Sequence, residues 1–462
     1  MWDFEKHKEK IAIITEEEKI TYNDLNNFQR EFAYCINKRS LVCILAENNL
    51  ESLICYVFCI FNNHVPVMAP VAEGEQIILE IINRYRPNYI WGSKKLLQLI
   101  NIENYKEKFS FSNYVLLSDC GQKSVAMHRD LALLLHTSGS TGNPKLVRLS
   151  RENIIFNTGA ICQYLKLTDH DCAVMSLPIN YTYGLSIVNT LFWVGGSILL
   201  TKEKIFQQKF WDLVYKHEIT LLPGVPYTYE CLQKIRMDTF HLPKLRILTQ
   251  AGGRLSEEQQ YYWGKYAKTS GKQFYIMYGQ TEATARISYL PAEDCLRKMG
   301  SVGIAIPGSR IYIEAKDKEV SRAIERQGEI VCVGKHVSMG YAEIQQDLLL
   351  PDMNRGILYT GDLGYLDEEG YLYIIGRENR FAKIYGRRIN LLQVETMAKK
   401  IIGKDVVAIS NDEKIFLYTD AKVCQKQIEK LRKNISFSIN PFVVREMKEL
   451  PRKENGKIKY LI

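Results

Sequence analysis

The sequence predicts an α/β protein with a large N-terminal domain and a small α+β C-terminal one, on three observations. Short β-rich apolar runs alternate with helix-length amphipathic stretches, Gly-rich turns and alternating strands set in around residues 356–376, and 46% of the 462 residues are apolar against 24% charged. Strands separated by helices build parallel-type sheets covered on both faces. A chain of this length and balance buries full cores and is not disordered.

The elements follow in order. Met1-Trp2-Asp3-Phe4-Glu5-Lys6 is acidic and mixed where a secretory leader is basic and then apolar, which points to a cytoplasmic protein. The 11 cysteines are scattered without a C-x-x-C pair, so they indicate buried thiols in a reducing compartment, neither a disulfide framework nor a zinc ribbon. Strands are expected at Leu41 to Ala46, Tyr114 to Leu117, Leu131 to Leu135, Cys172 to Leu177, Leu245 to Thr249 and Phe274 to Tyr278. The longest apolar run, Leu53 to Phe61, is about half the ~20 residues a membrane span needs and reads as a core helix. The tail offers strands at Val406 to Ile409 and Lys414 to Tyr418, a helix at Val423 to Ile435 and a last strand near Phe442. Residues 1–376 are therefore one domain and 377–462 another.

The strand Leu131 to Leu135 runs into His136 and then Thr137, Ser138, Gly139, Ser140, Thr141, Gly142, Asn143, Pro144 and Lys145. Backbone N–H groups freed by glycine, four hydroxyls and one ammonium suit a polyphosphate. The spacing is not that of a Walker A loop. Tyr278-Gly279-Gln280-Thr281-Glu282 follows another strand: its ring can stack on a base, the Thr281 hydroxyl can bond a phosphate, and the Glu282 carboxylate can hold a hard cation.

Thr137 to Lys145 resembles the signature loop of the acyl-adenylate-forming superfamily, which includes acyl-CoA synthetases, peptide-synthetase adenylation domains and firefly-type luciferases. The family's other motifs follow in order, from Ile20-Thr21-Tyr22-Asn23-Asp24-Leu25 to the C-terminal lysine. The resemblance implies a distorted barrel beside the parallel-type sheets, and a mobile lid as the C-terminal domain. Gly252, Gly253 and Arg254 would lie with Tyr278 and Gly279 about the adenine, and Asp362 of Tyr359-Thr360-Gly361-Asp362 would bind the ribose with Arg377. Asn379 falls at the hinge position, Lys383 and Gly386 on the thiol-facing surface, and Lys457 of Pro451-Arg452-Lys453-Glu454-Asn455-Gly456-Lys457 at the catalytic lysine. Four positions depart from the pattern: Leu146, where Gly is usual, Asn379, where Asp or Lys is usual, Arg380, where an acid is usual, and Gln393, where Glu is common. Leu146 and Gln393 read as packing variation.

The chemistry implied is attack of a carboxylate on the α-phosphate of ATP with magnesium, giving an acyl-adenylate and pyrophosphate. The acyl group then passes to a thiol of coenzyme A or phosphopantetheine. Tyr181, Thr182, Val225, Pro226 and Gln280 would line the acid pocket. Domains that take α-amino acids carry an Asp after the aromatic residue, because a buried ammonium needs a charged partner. Thr182 stands there, so an acid without a free α-amine is favoured over an amino-acid substrate. A luciferase-like oxygenase and a non-catalytic nucleotide-binding relative are the remaining alternatives; no feature asks for the first, and the intact polar set argues against the second.

The formal net charge is +9, too mild for nucleic acid, and no membrane span is expected. Residues 377–462 hold 20 Lys plus Arg against 10 Asp plus Glu, so the excess lies on the small domain. An anionic acceptor, coenzyme A or an acidic acyl carrier protein, suits that surface.

Overall fold

The computed structural model describes residues 1–100, 102–119, 121, 124–137, 145–314, 327–377, 380–384, 387–411, 413–435 and 437–452. Two compact units divide the chain: Met1–Ile311 with Cys332–Leu358, and Tyr312–Val331 with Tyr359–Ile462.

The first unit is built on two large mixed sheets. One runs in the order Ile304–Ala305, Ser288–Leu290, Gln273–Tyr278, Ile247–Gln250, Leu221–Gly224, Cys172–Met175, Ser197–Leu200, Ile11–Ile14 and Lys19–Thr21. Its middle strands are parallel and its ends antiparallel. The other runs in the order Tyr341–Ala342, Leu146–Ser150, Leu131–His136, Val65–Pro70, Leu41–Ala46, Tyr89–Ser93, Tyr114–Asp119 and Tyr105–Phe111. The expected strand at Tyr114 is present, but it pairs antiparallel with both neighbours. A tight turn from Phe111 to Tyr114 leaves no room for the helical crossover that a parallel pair requires.

One hydrophobic core takes Ile13, Ala173 and Ile247 from the first sheet, Val42, Ile44 and Leu133 from the second, and side chains of helices. Those helices include Tyr22–Cys35, Leu50–Phe61, Arg151–Leu165 and Thr182–Val194. Such a position explains why the run Leu53 to Phe61 is apolar on nearly every face while its helix needs only a polar Asn49 cap, which accepts from the Ser52 N–H at 2.9 Å. No helix among the described residues is long and apolar enough to cross a membrane.

In the region expected to form the distorted barrel, the described residues make a four-stranded sheet, ordered Arg310–Glu314, Gly328–Val333, Ile357–Leu366 and Leu372–Arg377. The division between the units falls within three of these strands, and Ile357–Leu366 lies mostly in the second unit. In the second unit the tail elements lie where the sequence put them, as Val406–Ser410, Ile415–Thr419, the helix Gln425–Asn434 and Phe442–Glu446. A hairpin of Phe381–Ile384 and Arg387–Asn390 precedes its first helix, Leu391–Ile402, and Ile384, Val394, Leu417 and Leu431 share its core.

Candidate active site

The strands flanking the proposed phosphate loop are an antiparallel pair, with His136 opposite Leu146. The loop is thus a hairpin connection that opens on Thr137 and returns at Lys145. Ser138, Gly139, Ser140, Thr141 and Gly142 lie outside the described residues. Among the described residues Thr137 Oγ1 is buried with no hydrogen-bond partner, an unfilled demand where the loop begins. Leu146 is fully buried and stands opposite Ala342 as well as His136, so its departure from glycine is packing, as expected.

Lys145 and Glu282 come together on one aromatic ring. The Lys145 ammonium lies 3.8 Å from the centroid of Tyr341, and the Tyr341 hydroxyl donates to Glu282 Oε1 at 2.6 Å. Tyr341 is held there by Arg148, whose guanidinium donates to the carbonyls of Met339 at 2.7 Å, Tyr341 at 3.0 Å and Pro351 at 3.2 Å, and to that of Leu350. Tyr341 and Arg148 were not among the residues singled out from sequence. A Gly-Tyr pair at 340–341 was the only signal, and Gly340 is needed for its φ of +104°.

Thr281 and Glu282 sit on a one-turn 3-10 helix, Thr281–Ala283, closed by Thr284 at a φ of +63°. That strained backbone is fixed from both sides: the Thr284 hydroxyl donates to the His336 carbonyl at 2.7 Å, and the Thr182 hydroxyl donates to the Thr284 carbonyl. A Cβ on Gly279 would stand 1.9 Å from the Ala285 carbonyl oxygen, so the glycine is required by the chain's own fold. Among the described residues Gln280 Nε2 is buried without a partner. Behind the turn, Cys332 Sγ and His336 Nε2 are 3.2 Å apart. Burial pushes the thiol up to about 12 and the imidazole down to about 4, so the pair is neutral and carries no nucleophile.

The glycine pair meets the acid-pocket residues. A Cβ on Gly252, at a φ of +83°, would fall 2.2 Å from Tyr181 Oη and 3.4 Å from Val225, and one on Gly253 would fall 3.1 Å from Pro226. Gly252, Tyr181 and Val225 therefore share one corner, with Arg254 exposed beyond it. Thr182 opens the helix Thr182–Val194 and is buried, its hydroxyl spent on Thr284. Tyr278 ends its strand opposite Ser288.

In the second unit, Asp362 and Arg377 are cross-strand partners, and Arg377 Nε donates to Asp362 Oδ1 at 2.7 Å. Arg380 pairs with the buried Glu395, which also accepts from the Ala408 N–H at 2.8 Å. The basic residue at 380 thus has an acid waiting for it on the next helix. Gln393 lies exposed on that helix, so its variation is a surface change and not packing. Asn379, Gly386 and Lys457 lie outside the described residues, as does the Lys383 side chain.

Among the described residues no group of three or more His, Cys, Asp or Glu forms a metal cage. One carboxylate, Glu282, beside the Thr281 hydroxyl is the kind of donor set that magnesium uses when nucleotide phosphates supply the other oxygens. The residues fit that cation.

Residues 2–342 match a family model described as AMP-binding enzyme. A 2-succinylbenzoate–CoA ligase of Geobacillus sp. (strain WCH70) is 30% identical over 58% of this chain and 53% of its own, so the match spans about half the length of that relative. Another, from Bacillus cytotoxicus, is 25% identical over 97% of this chain and 94% of its own. The solved O-succinylbenzoate coenzyme A synthetase of Bacillus subtilis, in complex with AMP, shares the fold with a TM-score of 0.78 at 20% identity, over 99% of this chain and 97% of that one.

Proposed function

Since the chain belongs to the family of AMP-binding enzymes, we propose that it is an AMP-forming acid–thiol ligase working in the cytoplasm. It activates a carboxylic acid with ATP to an acyl-adenylate and pyrophosphate, then passes the acyl group to coenzyme A. The relatives named as 2-succinylbenzoate–CoA ligases support coenzyme A over a carrier protein as the thiol.

The observation that carries the reading is the Tyr341 bridge, which presents an ammonium and a carboxylate side by side next to the phosphate loop. Two anions must meet in the first step, so the protein's work is charge neutralisation and alignment. Thr137 and Lys145 take the β- and γ-phosphates. Glu282 holds magnesium, which when bound neutralises phosphate charge, and the Thr281 hydroxyl bonds a phosphate. Lys457 takes the substrate carboxylate and the α-phosphate, Asp362 and Arg377 the ribose, and Gly252, Gly253 and Tyr278 the base. Asn379 is the hinge between residues 1–376 and 377–462, and Lys383 and Gly386 face the thiol. Thr182 offers no charge to an α-ammonium, and its hydroxyl is already committed, which favours an acid without a free amine.

The test is pyrophosphate release over a panel of short, branched, aryl and long-chain acids and α-amino acids, with coenzyme A or a holo carrier protein as acceptor. Acid-dependent release with thioester formed on coenzyme A supports the proposal. Release driven best by an α-amino acid, or thioester found only on the carrier, overturns it.

A further inference from the structure

The helix Arg151–Leu165 follows the strand Leu146–Ser150, on which the phosphate loop returns. Two asparagines on it are enclosed, Asn153 at 6% exposure and Asn157 at 1%. Four residues apart, they share one helix face, and a buried amide is costly unless its donors are used. Both spend them on backbone carbonyls of one neighbourhood. Asn153 Nδ2 donates to the carbonyls of Lys335 at 2.7 Å and Val337 at 2.8 Å, and Asn157 Nδ2 donates to that of Arg286 at 3.0 Å.

Glu282 is tied to both anchored segments. Its carbonyl accepts from the Ser338 N–H at 2.8 Å, one residue beyond the Val337 that Asn153 holds. On the other side, the Ile287 N–H donates to the Tyr278 carbonyl at 2.8 Å, so residues 278 to 287 make a closed excursion that carries Glu282. Thr284, within it, has a φ of +63°, which a β-branched residue keeps only where its surroundings over-determine it. The Arg286 carbonyl is where the helix grips this excursion beyond the strained residue. Tyr341 fixes the carboxylate of Glu282, and Asn157 fixes the backbone that bears it.

We propose that Asn157 is a positioning residue for the Glu282 carboxylate: by holding the Arg286 carbonyl it keeps the turn Thr281–Ala283 in place against the helix that leaves the phosphate loop. The inference rests on the assignment of magnesium to Glu282 and deepens it. A carboxylate that shares a cation with nucleotide phosphates has to stand at a fixed distance from them. Hydrogen bonds behind a ligand set that distance, and their loss is read in the affinity for the metal.

The test is calorimetric binding of ATP to the full chain, with magnesium and with EDTA, and the readout is the gain in affinity that magnesium brings. In Asn157→Leu this gain falls on the order of 10-fold, while ATP binding in EDTA is unchanged. Asn157→Ser, which keeps a donor, retains most of the gain. Gln260 is an equally buried control on another helix, its amide donating to the carbonyls of Cys295 at 2.7 Å and Lys298 at 3.1 Å. Gln260→Leu lowers the melting temperature and leaves the gain where it is. A gain unchanged in folded Asn157→Leu overturns the inference. So does an equal fall in Gln260→Leu, which would make the effect a general loss of stability, and so does a failure of both Asn157 variants to fold. Glu282→Gln separates the two readings. If it keeps the gain, or if wild type shows none, magnesium is not held by Glu282 and the inference falls with that assignment. If it loses the gain while Asn157→Leu keeps it, the inference alone falls.

Discussion

Arg148 and Arg286 are both enclosed in the first unit, at 0% and 2% exposure, yet their guanidinium groups meet opposite surroundings. Arg148 is ringed by the carbonyls of Met339, Tyr341, Leu350 and Pro351, so each face of its fork has an acceptor. Arg286 has the Tyr183 ring, the Met277 thioether, the Tyr164 hydroxyl and two long contacts. A buried cation whose donors are all used by carbonyls is a strut. One held by a ring, a thioether and long contacts is less fully satisfied, so its charge contributes less to the fold.

The largest expected effect breaks the strut. Arg148→Met should destabilise the protein by about 3 kcal/mol or more, since several buried carbonyls lose their donor at once. Arg286→Met should move stability by less than about 1 kcal/mol in either direction, because a hydrophobic replacement removes a charge the fold satisfies only in part. Urea denaturation midpoints of the two variants, measured side by side, check this. Equal losses would erase the distinction between the two guanidiniums.

Acid sharpens the contrast through buried groups other than the two guanidiniums. What acid reaches are His64 and His336, buried at 4% and 0% exposure. Burial pushes both imidazoles down to about 4, and the nearby Arg39 adds to that for His64. In the unfolded chain each titrates near 6.5, so as pH falls the unfolded state takes up protons first. Stability is full above about 6.5 and is lost between 6.5 and 4, by about 2 kcal/mol per histidine at pH 5. Denaturation midpoints at pH 7 and pH 5 should fall in parallel for wild type and Arg286→Met. A fall that differed between them would mean that Arg286, not the histidines, sets acid stability.

Much of this was legible along the chain and some was not, for a definable reason. Thr281-Glu282, Gly252-Gly253 and Tyr359-Thr360-Gly361-Asp362 are contiguous, so backbone order alone places their groups together. The strands at Leu41 and Leu131 and the helix at Leu53 were legible because fully buried elements are uninterrupted apolar runs. The direction of the Tyr114 strand was not, since pairing sense depends on what connects two strands rather than on their composition. Tyr341 was missed because its partners, Lys145 and Glu282, are far from it in sequence and it reads as one tyrosine among 28. Arg286 stood in plain view beside a recognised motif. Its surroundings, a tyrosine ring and a thioether, are brought together only in three dimensions. Arg380 looked like an exception until its acid, Glu395, appeared on the following helix.

The smallest effect tests what the strut is for. If Arg148 serves to present Tyr341, then the Tyr341 hydroxyl should matter to the phosphate end of the reaction and little to the fold, because Tyr341 is 38% exposed. Tyr341→Phe removes the 2.6 Å bond to Glu282 and keeps the ring under Lys145. A charge-assisted bond of this kind, partly in water, contributes about 1 kcal/mol, so the KM for MgATP should rise by about tenfold or less. The melting temperature and the preference among acids should stay where they are. Tyr341→Leu removes the ring as well and should add a further small loss of about 0.5–1 kcal/mol from the ammonium–aromatic contact. Should Tyr341→Phe change the choice of acid and leave the KM for MgATP alone, the two ends of the site would be coupled through this residue. The link from Arg148 through Tyr341 to the phosphate end would then fail at the point where it is easiest to measure.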